Sequence, residues 1–267
     1  MVLTLCACVR LTERPDLPTQ HTLPKAARGT LQEHGDRIQA RLGPGESAYW
    51  LLDRNERALT ARLALTDEAF ASLDVQYFIW QQDATGILMA GRLLDAADRG
   101  VKIRLLLDDF GVASSRSEIL HLDSHPRIEV RVFNPWANRI WRFTKGVEFL
   151  FRWGTLNRRM HNKTYIADNR FAIVGGRNIG DRYFGLFERF VQDDLDVLVA
   201  GPLVSEISAS FDLYWNSGNT YPMSIFQNSR DEVRPLAQTK AEIAAQIADR
   251  AEALQAFPIS QTRWSAY

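Results

Sequence analysis

The sequence has few cysteines, no excess charge of either sign and no long apolar run. Its two cysteines, Cys6 and Cys8, lie near the start of the 267 residues, so a disulfide framework in the core and a cysteine-ligated zinc site are excluded. Lys and Arg total 32, as do Asp and Glu, so no global positive field would attract a polyanion. Without about 18 consecutive apolar residues, no membrane-spanning helix is predicted. An apolar content of 46% is typical of globular proteins.

The hydrophobic pattern predicts an α/β domain. A helix capped by Asp53 or Asn55 precedes an aromatic, β-branched strand at 74–80. A second helix follows and ends at Gly100. The next elements are a strand at 101–107, a short helix at 117–122 and a strand at 128–133. Because the connections are long enough for right-handed crossovers, we expect a mixed, mostly parallel sheet flanked by helices.

The rest of the chain divides into further elements and two flanking regions. Strands at 164–167 and 171–174 form a predicted hairpin, and a strand at 196–200 leads into a helix that runs to Trp215. A last helix is predicted at 239–257, and residues 10–48 read as an extended arm. The predicted organisation is an N-terminal arm (1–44), a central domain (45–220) and a tail with one helix (221–267).

The first nine residues are apolar and end at Arg10, without the basic start of a secretory signal. Two interpretations remain open. One is a frayed terminus. The other is the remnant of a bacterial lipoprotein signal, in which Leu5-Cys6-Ala7-Cys8 resembles a lipobox and Cys8 carries the lipid.

The residues that indicate chemistry lie at 160–168 and 175–178. If the strand starts before residue 164, alternation would place His161, Lys163 and Tyr165 on one face. An imidazole beside an ammonium group suits chemistry on an anion, because the ammonium binds negative oxygens while the imidazole attacks or transfers a proton. Gly175-Gly176 permits close backbone approach, and its amides are expected to form an anion-binding nest to which Asn178 adds a donor. The pattern predicts a phosphate clamp with a nucleophile inside it.

The spacing His-x-Lys, four residues, Asp168, six residues and Gly-Gly-x-Asn resembles the signature of the phospholipase D superfamily. Roughly residues 45–220 resemble the first half of bacterial cardiolipin synthases, the C-type in particular. The stretches that carry this resemblance are 73–80, 99–101, 105–109, 123–130, 157–163 and 175–181.

This resemblance implies a phospholipase D-like domain that performs phosphodiester chemistry without a metal or other cofactor. His161 would be the nucleophile or the general acid, and Lys163 and Asn178 would hold the non-bridging phosphate oxygens. Asp168 would be the third catalytic residue, which orients and supports the site more than it reacts. In such enzymes one histidine forms a covalent phosphohistidine and a second protonates the leaving alkoxide.

The family site uses two such motifs, and this sequence contains one. The other histidines have no lysine two residues later and no Gly-Gly-x-Asn downstream: His21, His34, His121 and His125. The resemblance therefore implies one half of a two-lobed pseudo-dimer. Either two chains pair about a two-fold axis, or the chain is a truncated half that is inactive alone.

Residues 136–163 combine seven basic side chains and one acidic side chain with interleaved aromatics. Arg158, Arg159 and Trp153 belong to this stretch. An anionic-lipid interface, a single-stranded nucleic-acid surface and an ordinary loop all fit the pattern. The family resemblance favours an anionic phospholipid such as phosphatidylglycerol and a membrane-associated place at the bacterial envelope or inner-membrane periphery.

The expected function is phosphatidyl transfer or phosphodiester hydrolysis on phospholipids, through a phosphohistidine. The alternatives are a single-motif nuclease and an inactive half that binds lipid or a partner chain. Asp108-Asp109 follows a strand, where a turn or capping role is favoured over a catalytic one. Asp194 and Asp196 are expected to have structural or supporting roles.

Overall fold

An eight-stranded sheet forms the centre of the computed structural model, which describes residues 11–112, 116–137, 153–186, 192–226, 235–250 and 254. Cys8 and most of the basic-aromatic stretch lie outside the described residues. The strands are β1 (Ala48–Leu52), β2 (Ser72–Ile79), β3 (Lys102–Gly111), β4 (Ile128–Phe133), β5 (Thr164–Ala167), β6 (Phe171–Gly175), β7 (Asp196–Ala200) and β8 (Thr220–Pro222).

Helices lie on both faces of this sheet. They are α1 (Thr30–Gln39), α2 (Asn55–Glu68), α3 (Ala84–Asp98), α4 (Arg116–Asp123), α5 (Trp153–Leu156), α6 (Asp181–Phe184), α7 (Leu203–Trp215) and α8 (Leu236–Asp249). A 3-10 turn covers Met223–Phe226. Among the residues the structure describes, no helix combines the length and apolarity needed to cross a bilayer.

The strand order is β1-β7-β6-β5-β2-β3-β4-β8. Strands β2, β3 and β4 run parallel, as the predicted helix crossovers require. The other five pairings in the described chain are antiparallel. The predicted α/β class is therefore confirmed, but the prediction of a mostly parallel sheet is wrong. The hairpin β5–β6 was expected, whereas its antiparallel attachment to β2 depends on contacts that local sequence does not encode.

The core has two layers, one on each side of the sheet. Alternate residues of β2, namely Leu73, Val75 and Tyr77, pack in the larger layer with α2 and α3. In the smaller layer, Phe211 and Trp215 of α7 pack with strand residues that include Ile166. These two apolar layers hold in place the ends of the central strands, where the candidate active site lies.

The ends of α3 follow the capping chemistry of the sequence, whereas α2 begins after Arg54 without a side-chain cap, so the predicted cap by Asp53 or Asn55 is wrong. The Asp83 carboxylate accepts a hydrogen bond from the Gly86 amide (3.0 Å) at the start of α3. Gly100 follows that helix with φ +99°, as a terminating glycine should. Gly91 of α3 leaves room for Ile243 and Ile247, so α8 docks closely on α3.

The predicted extended arm is bound to the domain. It contains α1, whose Leu31 is fully buried, and an irregular segment that runs along the sheet. The Ala26 amide bonds to the Asp168 carbonyl (3.0 Å), and the Thr22 amide bonds to the Asp212 carboxylate (2.9 Å). The arm is therefore a packed part of the same unit, because these contacts satisfy its backbone groups.

Candidate active site

His161, Lys163 and Asn178 meet at one edge of the sheet. Strand β5 is antiparallel to β2 and β6, so its start lies beside their carboxyl ends, with Thr164 opposite both Gln76 and Val174. His161 and Lys163 immediately precede β5, and Asn178 follows β6. The topology thus brings Asn178 to the His161–Lys163 segment, although it lies 15 or more positions later in the sequence.

The imidazole of His161 is exposed and stacks on the ring of Phe78, with 4.2 Å between ring centroids and 24° between planes. Its Nδ1 lies 3.4 Å from the Arg159 carbonyl oxygen. A carbonyl can only accept, so in this contact Nδ1 is assigned the proton. That tautomer leaves the lone pair of Nε2 available for attack on an electrophile.

The ammonium group of Lys163 lies over the same aromatic ring. Its Nζ is 5.6 Å from the Phe78 centroid and donates a hydrogen bond to the His161 carbonyl. Partial burial lowers the pKa of Lys163, and the nearby Asp194 carboxylate opposes that shift. The two predicted reactive groups therefore converge on Phe78, where Lys163 supplies a cation beside the imidazole.

Tyr165 does not share that setting. The strand begins only at Thr164, and Tyr165 is buried in the core with its hydroxyl bonded to Thr66 of α2. The expectation that Tyr165 would face the site with His161 and Lys163 is wrong, because the two latter residues precede the regular strand.

Asn178 joins the end of β6 to the end of β2. Its Oδ1 accepts a hydrogen bond from the amide of Ile79 (2.9 Å), the residue that follows Phe78 in the chain. Within the described part of the chain, its Nδ2 donates no hydrogen bond. The amide oxygen thus fixes the side chain, and the amide nitrogen remains as a donor for a phosphate oxygen.

The two glycines do not form the predicted anion nest. The Gly175 amide donates to the Lys163 carbonyl (3.4 Å) and the Gly176 amide to the Leu195 carbonyl (3.1 Å). A Cβ on Gly175 would lie 2.0 Å from Asp196 Oδ1, and one on Gly176 would lie 1.9 Å from Asp194 Oδ1. Glycine is needed here for close approach of the 194–196 segment, so the nest prediction is corrected.

Asp196 explains why that segment must come so close. Its buried carboxylate contacts the guanidinium groups of Arg62 (2.9 Å) and Arg177 (3.4 Å) and accepts the Arg177 amide (3.2 Å). Arg177, between the glycine pair and Asn178, is fully buried and bonds to the Leu52 carbonyl. This ion cluster holds the Asn178 segment against α2 and β1.

Asp168 lies at the opposite end of β5 from His161 and Lys163. Its buried carboxylate accepts hydrogen bonds from three consecutive amides, those of Phe70 (2.9 Å), Ala71 (2.7 Å) and Ser72 (3.0 Å). Asp168 therefore fixes the turn from α2 into β2. Its predicted place among the catalytic residues is corrected, because the strand separates it from the reactive groups.

Of the three predicted lipid-surface residues, two are accessible. Trp153 is 52% exposed and Arg158 is also exposed. The Arg159 side chain is only 10% exposed and bonds to Asp108 Oδ1 (3.1 Å). Arg159 is thus engaged inside the protein, so it is not available as a lipid contact.

Three further residues act on the reactive groups through contacts that the local sequence does not reveal. Phe78 was part of an aromatic strand, and nothing local showed that His161 would lie on it. Asp108 was recognised at the end of a strand, but its contact with the His161 segment joins positions about 50 residues apart. Asp194 was assigned a supporting role, and its electrostatic interaction with Lys163 agrees with that assignment.

A profile of the family described as "Cardiolipin synthase, PLD-like domain" matches residues 63–215, which is more than half of the chain. The chain belongs to this family. The match covers every strand from β2 to β7 together with His161, Lys163 and Asn178. The phospholipase D superfamily resemblance of the sequence is therefore confirmed.

Two relatives and one solved structure show how far the similarity extends. Cardiolipin synthase C of Escherichia coli is 44% identical over 180 residues, which are 67% of this chain and 37% of that protein. An uncharacterized protein of Helicobacter pylori is 40% identical over 192 residues, or 70% and 37%. Phosphatidylserine synthase of Haemophilus influenzae superposes with a TM-score of 0.50 at 15% identity, covering 82% of this chain and 48% of that one. The matched region thus spans little more than a third of these two relatives.

Proposed function

We propose that this chain supplies one catalytic half of a cardiolipin synthase-like phosphatidyltransferase or phosphodiesterase. The observation that carries the proposal is the convergence of His161 and Lys163 on the ring of Phe78, beside the Asn178 amide. In the neutral imidazole with its proton on Nδ1, these three groups supply a nitrogen lone pair, a cation and a neutral donor. That combination suits in-line attack on a phosphodiester whose oxygens are bound and neutralised.

The reaction follows from the assigned tautomer. Nε2 of His161 attacks the phosphorus, a new N–P bond forms, and the bond from phosphorus to the leaving alcohol oxygen breaks. A second acidic group protonates that oxygen as it leaves. An alcohol in phosphatidyl transfer, or water in hydrolysis, then attacks the phosphorus and gives its proton to the second group, which now acts as a base. The N–P bond breaks, which restores the imidazole. Lys163 and Nδ2 of Asn178 bind the two non-bridging oxygens throughout.

The acid that protonates the leaving group would come from a second motif. Within the described residues no other histidine lies at this edge of the sheet beside a lysine. A second copy of the chain in an isologous pair would present its own His161, and a second-half partner chain would present an equivalent residue. Either arrangement supplies two histidines to one phosphorus.

Phospholipid is the proposed substrate class. The family description and the name of the Escherichia coli relative refer to cardiolipin synthesis. Trp153 and Arg158 are exposed close to the His161 segment in sequence, and such an aromatic–cation pair is common at anionic membrane surfaces. We therefore propose an anionic phospholipid such as phosphatidylglycerol as substrate and a bacterial membrane surface as the place of action.

The test is a lipid-product assay with metal-free purified protein and phosphatidylglycerol-containing vesicles. Wild type should form cardiolipin or phosphatidic acid, His161→Ala should form neither, and His21→Ala, in an exposed histidine, should retain activity. Sedimentation run in parallel reports whether the chain self-associates. A self-associated wild type that gives no lipid product contradicts the proposal, and nicking of plasmid DNA under the same conditions would favour the nuclease alternative.

A further inference from the structure

We propose that Asp108 is a positioning residue for His161, with Arg159 as its partner. The proposal rests on the function proposed above, since it assigns a role within the same site. His161 lies in the irregular segment before β5, where no strand pairing fixes the backbone. Something other than the sheet ladder must therefore hold the imidazole in place.

Asp108 contacts the segment directly. Its Oδ2 accepts a hydrogen bond from the Met160 amide (3.0 Å), one residue before His161. Its Oδ1 accepts from Arg159 Nη1 (3.1 Å), two residues before His161. The Asp108 side chain is fully buried, so these bonds form in a medium where water does not compete.

Asp108 is itself rigidly placed. It lies in β3 opposite Phe133 of β4, and its Oδ1 also accepts the Phe110 amide (2.9 Å). Three donors therefore use both oxygens of one carboxylate. The central parallel strands, and not a surface loop, therefore fix the position of the His161 backbone.

A second strand end reinforces the same segment. Asn134 follows β4, and its Nδ2 donates to the Arg158 carbonyl (2.9 Å). Its own carbonyl accepts from Arg159 Nη1 (3.1 Å). The Arg159 guanidinium thus bridges the ends of β3 and β4 and lies over the rings of Trp136 (5.3 Å) and Phe110 (5.5 Å). The Arg159 carbonyl is the group that faces His161 Nδ1.

The contacts connect the carboxylate to the imidazole in two ways. Asp108 fixes the amide before His161, which sets where the ring leaves the backbone to stack on Phe78. Asp108 also holds Arg159, whose carbonyl selects the Nδ1-protonated tautomer. A displacement of the segment should therefore reduce the reaction rate without removing the phosphate-binding groups Lys163 and Asn178.

Asp108→Asn is the sharpest variant. An amide has one oxygen, so it cannot accept from Met160 on one side and from Arg159 and Phe110 on the other. Either orientation places an NH₂ group against a backbone or guanidinium donor. The matched control is Asp123→Asn, in which a partly buried carboxylate accepts a single amide, that of Val130 (2.7 Å), near the amino-terminal end of β4.

Two readouts separate positioning from general damage. We expect Asp108→Asn to lower kcat by about 10- to 100-fold with KM nearly unchanged, as misplacement of a nucleophile should. Independently of turnover, the 15N-labelled imidazole signals of His161, assigned with His161→Gln, should shift while those of the other histidines stay. Asp123→Asn should change neither readout.

Arg159→Lys provides a second, milder variant. It keeps the charge but loses the guanidinium bridge, so it should reduce kcat and shift the His161 signals in the same direction. The proposal is overturned if both folded variants leave kcat and the His161 signals as in wild type, or if Asp108→Asn does not fold and Arg159→Lys changes nothing. A self-associated wild type without activity would contradict the proposed function, whereas the imidazole signals would still decide the role of Asp108.

Discussion

The imidazole of His161 lies on the ring of Phe78, with 4.2 Å between the two centroids, and the Lys163 ammonium group lies over the same ring at 5.6 Å. One aromatic side chain at the end of β2 is therefore the common support of both predicted reactive groups. Neither residue could have been paired with Phe78 from the sequence, since they are about 80 positions apart.

Replacement of Phe78 should show whether its ring holds the His161 imidazole in place for the reaction. Phe78→Ala removes the surface on which the imidazole rests, so we expect kcat to fall by about 10-fold or more in the lipid-product assay. Phe78→Tyr keeps the ring and should retain most of the activity. Tyr49→Ala is the control, because Tyr49 is a 73% exposed aromatic residue of β1, four strands away from β2. Equal kcat values for Phe78→Ala and wild type would contradict a supporting role.

The pH dependence should reveal the ammonium group. Burial lowers the pKa of Lys163 below the usual 10.5, so this cation loses its proton at a lower pH than an ordinary lysine does. Because the protonated form binds phosphate oxygen, kcat/KM should decline on the alkaline side before pH 10.5. Lys163→Arg should move that decline to higher pH, since a guanidinium stays protonated. An alkaline limb that is identical in Lys163→Arg would assign it to another group.

The sequence was informative where function depends on local spacing. The His-x-Lys signature predicts that His161 and Lys163 act together, and both lie on Phe78 in the structure. The predicted strand at 164–167 has the same bounds in the structure. Asp168 was misassigned because a signature records which residues occur together in a family, not which end of the strand each occupies. A four-residue strand is enough to separate Asp168 from Lys163, so one motif serves both the site and the α2–β2 turn.

The glycine pair shows a different limit. Two adjacent glycines fit an anion nest and a close backbone approach equally well, and only the position of the neighbouring strand distinguishes them. That strand is β7, whose first residue Asp196 lies against the glycines together with Asp194 in the segment just before it. The antiparallel β6–β7 pairing is a long-range feature, as is the attachment of β5 to β2 that made the sheet mostly antiparallel. Local patterns predicted the elements, and these tertiary contacts decided their roles.

Gly175→Ala should test the close-approach interpretation. A Cβ at this position would lie 2.5 Å from the Leu195 carbonyl oxygen and 2.6 Å from the Asp196 Cα, which are backbone atoms that cannot rotate away. We expect a loss of about 1–3 kcal/mol in the free energy of unfolding, measured by urea denaturation. Gly218→Ala, where the added atom meets nothing within 4 Å, should be nearly neutral. If both variants are equally stable, the crowding at Gly175 has no energetic consequence.

Asp168 should behave as a structural residue. Its carboxylate accepts three consecutive backbone amides, and an amide side chain in Asp168→Asn would turn a donor toward at least one of them. We expect the free energy of unfolding to fall by about 2–4 kcal/mol and Tm by about 5–15 °C. At a temperature where the variant remains folded, its kcat should stay close to wild type, because His161 and Lys163 lie at the other end of β5. Asp249→Asn, in a side chain that is 83% exposed, is the matched control and should leave Tm unchanged. A folded Asp168→Asn protein with wild-type Tm and abolished turnover would instead indicate that Asp168 takes part in catalysis.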